Sequence, residues 1–163
     1  MPEVLRTINV NGSVRLNLNG EHPSLDGSIT LGEGLDWGTP DLRETLLGAA
    51  AGDLGEQQSS ATLGNATATI PLILKANDGL YSTLVDLHSA VAGEFLLDGG
   101  NIIEWQADES VDETRIYILR SVPPPLRRGQ RVAPHCLPGI DPEAYLILTP
   151  KRLPLVDGPV NVL

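Results

Sequence analysis

The stretch TATIPLILKANDGLYSTLVDLHSAVAGEFLLDGGNIIEWQADESVDETRIYILR, residues 67–120, decides the fold. Its first part lies in ATATIPLILKA (66–76), which closes on a run of apolar and β-favouring residues and reads as a strand. In LYSTLVDLHSAVA (80–92), Leu80, Leu84, Leu87 and Val91 fall at i, i+4, i+7 and i+11, one stripe of an amphipathic helix. Asn77 or Asp78 stands where a cap belongs, and Gly93 where the helix would stop. Ile103 and Trp105 alternate with Glu104 and Gln106 in NIIEWQAD (101–108). Ile116 and Ile118 oppose Tyr117 and Leu119 in ETRIYILRS (113–121). The acidic turn ADESVDE (107–113) joins these two strands. Strand, helix, strand, strand implies a β-rich globular module with one packed helix. It names an architecture, not a reaction.

Upstream, VLRTINV (4–10) and SVRLNLN (13–19) alternate at period two around Asn11-Gly12. That dipeptide predicts a β-hairpin with a type I′ turn, both residues taking positive φ. Val14, Leu16 and Leu18 would face one side, and Ser13, Arg15 and Asn17 the other. Residues 20–64 are rich in glycine, with a short strand expected within Leu25–Leu31. Thr39-Pro40-Asp41 has the order of a helix start, predicting a short helix from Pro40 to about Ala50, ended by Gly52. GEQQSSATLGN (55–65) reads as a polar loop. A weakly structured stretch of this length points to a functional loop, an interface arm or a missed strand. Downstream, Val122-Pro123-Pro124-Pro125 cannot continue a ladder, because proline lacks the donor. YLILT (145–149) reads as a strand and Leu153–Val156 as another, with Pro150 and Pro154 making them edge-like or irregular. The expected division is a core at 1–122 with its helix at 79–92. A basic, proline-rich C-terminal extension at 123–163 either completes the sheet or contacts neighbours.

The chain has 163 residues, 41% hydrophobic and 20% charged, which suits one domain. A domain of that size buries roughly 70% of its unfolded surface and needs no disulfide or metal to fold. Aromatics make up 4%, so Leu, Val, Ile and Ala must build the core. A single cysteine, Cys136, cannot close an intrachain disulfide. MPEVLRTINVNG has no basic-then-apolar signal pattern, and no apolar run approaches the ~20 residues of a membrane span. The expected compartment is a cytoplasm. Net charge is −10 and uneven. Residues 1–114 hold four Lys/Arg against eighteen Asp/Glu, and residues 115–163 hold seven against three. The acidic part repels phosphates and argues against general nucleic-acid binding. The polarity suits either a solvated surface or head-to-tail contact between subunits.

The search for chemistry returns no constellation. His22, His88 and His135 lack zinc-site spacing, and adjacent His135-Cys136 is short of the three or four ligands a site needs. APHCLPG offers Cys136 no helix N-terminus to lower its thiol pKa. There is no G-x-S-x-G elbow and no P-loop. Gly32-x-Gly34 does not open a helix, so it fails as a dinucleotide fingerprint. Glu104 with Asp108 or Glu109 can be drawn as a glycosidase pair, but coincidental acid pairs are expected in so acidic a segment. DESVDE (108–113) lacks the glycine and ligand spacing of a calcium loop. The expectation is a protein without catalytic residues, cofactor or metal. Trp105 is expected in the core. Trp37, in a glycine-rich loop, is expected either to plug a local cluster or to anchor a neighbouring subunit.

The order of elements resembles the N-terminal part of minor tail proteins of long-tailed actinobacterial phages, the distal-tail-protein type. The resemblance is carried by GLDWGTPDLRE (34–44), ATATIPLILKA (66–76), LYSTLVDLHSAVA (80–92), IIEWQAD (102–108) and TRIYILRSVPPP (114–125). It covers about residues 1–155 and is a pattern of elements, not a sharp motif. It implies a mainly β (α+β) fold, a β-sandwich of tail-tube-like type flanked by one α-helix. It further implies a structural virion protein at the tail tip, assembled in the host cytoplasm. Subunits would close into a hexameric ring and meet the tail tube, tape measure and tail-tip proteins. Trp37, Arg127, Arg128 and Arg131 are the candidate subunit contacts. Longer members carry a further C-terminal domain, often carbohydrate-binding-like, and the expectation here is a chain without one. The competing expectation is a small β-sandwich module that binds carbohydrate or protein, with Trp37 and the acidic turn near Asp108 as its site.

Overall fold

A computed structural model of the chain describes residues 3–40, 42–47, 57–126 and 143–157, with 42–47, 57–63 and 154–157 described by their backbone. The strands in chain order are β1 (Val4–Ile8), β2 (Val14–Asn17), β3 (Gly20–His22), β4 (Gly27–Leu31), β5 (Leu42–Leu47) and β6 (Gln57–Leu63). They continue with β7 (Ala66–Thr67), β8 (Ile70–Ala76), β9 (Asn101–Gln106), β10 (Thr114–Ile118), β11 (Glu143–Leu148) and β12 (Lys151–Asp157). A 3₁₀ turn spans Pro23–Leu25, and one helix, α1, spans Tyr81–Phe95. The fold is mainly β, of α+β type.

Two antiparallel sheets enclose one core. The larger runs β2-β1-β9-β10-β12-β7 and the smaller β11-β8-β4-β3. Period two sorts the faces. In the smaller sheet Ile29, Leu74 and Ala144 stand abreast, as do Leu72 and Leu146, and Ile70 and Leu148, all pointing inward and buried. In the larger sheet Leu5, Ile103, Ile116 and Ile118 meet them. The C-terminal part thus supplies one strand to each sheet: β11 pairs with β8, and β12 lies between β10 and β7.

The helix packs its buried stripe, Leu84, Leu87, Val91 and Phe95, against β8 and β4 and touches β2. Its boundaries differ from expectation at both ends. Leu80 is the N-cap residue and is 56% exposed, so the stripe begins one turn later. The expected cap at Asn77 or Asp78 is not made to the first-turn amides: the Asp78 carboxylate accepts the N–H of the N-cap residue Leu80 at 3.0 Å and the Thr83 hydroxyl at 2.7 Å. Gly93 stays inside the helix. Burial of Phe95, four residues past Val91 and 1% exposed, rewards another turn more than glycine costs it.

Two further expectations are corrected. The first turn is not type I′: only Gly12 has positive φ, at 88°, and its N–H donates to the Asn9 carbonyl at 2.9 Å. This is the longer hairpin turn that ends in a left-handed glycine, accompanied by a register shift between Thr7 and Ile8. Within the expected helix from Pro40 to Ala50, the described residues Leu42–Leu47 form strand β5 instead, paired with β6 from Leu42↔Leu63 to Leu47↔Gln57. A helix of that length has little stability of its own, and the strand pairing satisfies the same backbone groups. The polar loop 55–65 is thereby mostly strand, the missed-strand alternative. Gly52, its expected terminator, lies outside the described residues. The irregularity expected at Pro154 is present: Ile116 faces Val156 and Ile118 faces Arg152, so extra residues bulge from β12 around the proline.

Candidate functional site

Three features of the described residues bear on function: a clamped ribbon, a charged sheet face and a small hollow. The ribbon β5–β6 forms its own two-stranded sheet and hydrogen-bonds to neither of the others. Its first leg leaves the sandwich through residues 36–38, and its second returns through β7. The legs are tied by a two-way backbone bridge, Asp36 N–H to the Thr69 carbonyl at 3.0 Å and Thr69 N–H to the Asp36 carbonyl at 2.6 Å. Arg152, fully buried on β12, completes the root. Its Nε donates to the Trp37 carbonyl at 2.6 Å, Nη2 to the Gly38 carbonyl at 3.0 Å and Nη1 to the Leu153 carbonyl at 3.0 Å. Burial lowers the guanidinium pKa, and Asp36 opposes that shift. The backbone of Arg152 also pairs with Ala66 on the returning leg.

Trp37 belongs to this root. It is 5% exposed and meets Trp105 edge-on, ring centres 5.6 Å apart at 61°. Of its two expected roles it therefore fills the plug of a local cluster, and its ring face is not open to a glycan or a neighbour. Trp105 packs against the core as expected, its Nε1 donating to Glu3 Oε1. The Trp37 indole N–H and the Thr114 hydroxyl are buried without a partner among the described residues. Arg127, Arg128 and Arg131 lie outside the described residues, as do His135 and Cys136.

On the outer face of the larger sheet, Arg6, Glu104 and Arg115 stand abreast on β1, β9 and β10. Glu104, buried, accepts from Arg6 Nε at 2.9 Å and from its Nη2, and lies 3.8 Å from Arg115 Nε. Glu113 joins through Arg6 at 3.3 Å. Burial, then the neighbouring Glu104 carboxylate, raises the Glu113 pKa. The glycosidase-like pairing of Glu104 with Asp108 or Glu109 does not form: Glu104 is engaged by arginines. Asp108 instead turns to its own loop, accepting from the Ser110 hydroxyl and N–H, and both bonds lower its pKa. A second carboxylate, Glu94 at the end of α1, gathers Thr7, Arg15 and Asn101 and ties the helix to β1, β2 and β9. Sequence reasoning missed both Arg152 and Glu94, whose partners are more than sixty residues away in most of these contacts.

The two described histidines serve as backbone ties: His22 Nε2 bonds the Asn17 carbonyl at 2.6 Å and His88 Nε2 the Pro124 carbonyl at 2.7 Å. The latter holds the proline segment beside α1, with Pro123 buried. No group of three or more metal-ligating side chains converges among the described residues. No described helix is long and apolar enough to cross a membrane. Beneath the first hairpin turn, Ile8, Val10, Leu97 and Ile102, with Asn9, Asn11 and Asn101 at hand, line a hollow of about 370 Å³. Comparison with protein-family models and with curated proteins finds no match for the chain.

Proposed function

We propose that this chain is a structural subunit of a phage tail tip, the distal tail ring subunit that joins the tail tube to the adsorption apparatus. The observation that carries the reading is the β5–β6 ribbon, held at its root and paired with neither sheet. A two-stranded ribbon alone in water is only marginally stable, so one that is anchored this way suits contact with a neighbour. The two larger sheets also end on β2 and β7 and on β11 and β3 among the described residues. Head-to-tail rings join different patches around a closed rotation and cover such edges. The uneven charge supports the same contact, acidic surface against basic. The tail-tube-like type of sandwich, sixfold closure, the tail-tip location and contacts through Arg127, Arg128 and Arg131 belong to this proposal. It includes no catalytic step and no cofactor. Negative-stain microscopy of concentrated protein and of isolated tail tips tests it. Rings are the expected result; a strictly monomeric protein absent from purified virions refutes it.

The hollow beneath the first hairpin favours a second reading, a small β-sandwich module for carbohydrate or protein. Binding on a glycan array that disappears in Asn11→Ala with folding retained supports that reading. Binding that survives the substitution removes the hollow as its site.

A further inference from the structure

We infer that Arg152 is the clamp that sets the direction of the β5–β6 ribbon, so that the sandwich carries the ribbon as a fixed arm. The inference stands on the root geometry and holds whether or not subunits form a ring. One buried guanidinium reaches two successive residues of the outgoing leg, through the carbonyls of Trp37 and Gly38. The same residue pairs by its backbone with Ala66, three residues beyond the end of β6. Both legs are therefore fastened to a single position of β12. Gly38 sits so close over Thr67 that a side chain at 38 would collide with the Thr67 carbonyl oxygen, which leaves the legs no slack. Neighbouring bonds lock the frame around them: the Ala68 N–H donates to the Pro150 carbonyl at 2.9 Å, and the Leu119 N–H to the Lys151 carbonyl at 2.7 Å.

The chemistry chosen for the position fits orientation better than stability. A buried cation is costly to desolvate, and an apolar side chain of similar volume often serves a core as well. An apolar residue here would leave the Trp37 and Gly38 carbonyls without their donor. Arginine presents its N–H groups in a fixed planar fork, so two carbonyls bound to one fork are held at a fixed separation and angle. Lysine, a compact point charge, cannot impose that geometry.

Spin labels test the inference. With Cys136→Ser as background, one label at Ser60→Cys on the ribbon is paired with Ser82→Cys on the helix or with Glu109→Cys on the β9–β10 turn. Double electron–electron resonance then reads two distances that define the ribbon's direction. Narrow distributions are expected with Arg152 present. In Arg152→Met both should broaden roughly twofold or more, because an unsupported ribbon is only marginally ordered. Arg152→Lys should fall between, since charge without the fork restores only part of the constraint. Unchanged widths in a folded Arg152→Met protein overturn the inference. If Arg152→Met does not fold, hydrogen exchange on the unaltered chain decides. The root amides of Asp36, Ala68 and Thr69 should exchange as slowly as the core amide of Ile116. Exchange at these amides as fast as in the ribbon itself overturns the clamp.

Discussion

Gly27→Ala sets two opposite effects against each other and so tests the packing of helix on sheet. Away from neighbours, replacing a strand glycine with alanine stabilises by about 0.4–1 kcal/mol, because the unfolded chain loses freedom. At position 27 the added methyl would lie 2.6 Å from the Lys75 carbonyl oxygen, 2.7 Å from Leu87 Cδ1 and 3.3 Å from Thr83 Cγ2. The carbonyl belongs to the β8 backbone and cannot rotate away. Leu87 is fully buried, so its methyl has little room to yield. Either α1 lifts or the β4–β8 ladder spreads. Overpacking of this kind costs about 1–3 kcal/mol, which outweighs the entropic gain and leaves a net loss of about 1–2 kcal/mol. For a chain of this size that lowers Tm by about 2–8 °C. Urea unfolding followed by fluorescence of the packed Trp37–Trp105 pair reads the loss directly. Leu87→Ala alone should cost about 2–5 kcal/mol. Combined with Gly27→Ala it should cost less than the sum by about 1 kcal/mol, because the deleted side chain makes room for the methyl. A Gly27→Ala protein of equal or higher Tm, or strict additivity with Leu87→Ala, refutes the close approach of helix to sheet.

Phe95→Ala should destabilise by about 3–5 kcal/mol and unravel the last turn of α1, read as lost amide protection at Leu96, whose N–H bonds the Ala92 carbonyl. The two glutamates of the charged face should respond with opposite signs. Glu104→Gln keeps one acceptor for Arg6 but removes the buried carboxylate charge and the second oxygen that faces Arg115, and should cost about 1–3 kcal/mol at neutral pH by urea unfolding. Glu113→Gln should stabilise at neutral pH, by less than about 1 kcal/mol because the group is partly solvated. Its folded pKa is raised, so the native protein takes up this proton more readily than the unfolded chain. The stability that protonation confers is complete below the unfolded pKa and is lost as pH rises through the folded one. The gain from glutamine should therefore vanish below about pH 4. Asp78→Asn should lower Tm at neutral pH, and the deficit should shrink on acidification. The bonds from Thr83 and Leu80 depress the Asp78 pKa, so its contribution is present above the unfolded pKa and disappears as pH falls through the folded one.

The elements legible in the sequence are those whose signal is local. The helix stripe Leu84, Leu87 and Val91, the alternation in NIIEWQAD and TRIYI, and the Asn11-Gly12 hairpin all report on residues within a turn or two of themselves. The misreadings share one cause. Thr39-Pro40-Asp41 has the grammar of a helix start, yet the segment is a strand because Gln57–Leu63 supplies a ladder that no local rule anticipates. Gly93 looked like a terminator, but Phe95 had a place in the core. In the linear sequence nothing distinguishes Glu104 from a free carboxylate. It is held by Arg6, 98 positions away in the chain, and only pairing of β1 with β9 puts the two abreast.

The sequence by itself determined the class of this protein: mainly β, one packed helix, an aliphatic core and an acidic body. Those follow from periodicity, composition and charge, which need no knowledge of what folds against what. The tertiary structure decided the rest. It turned Trp37 inward, assigned Glu104 to an ion-pair lattice, made residues 42–47 and 57–63 a two-stranded ribbon and placed Arg152 at its root. Each of these depends on backbone groups brought together across long stretches of chain. A buried guanidinium declares its role only once the carbonyls that surround it are in position.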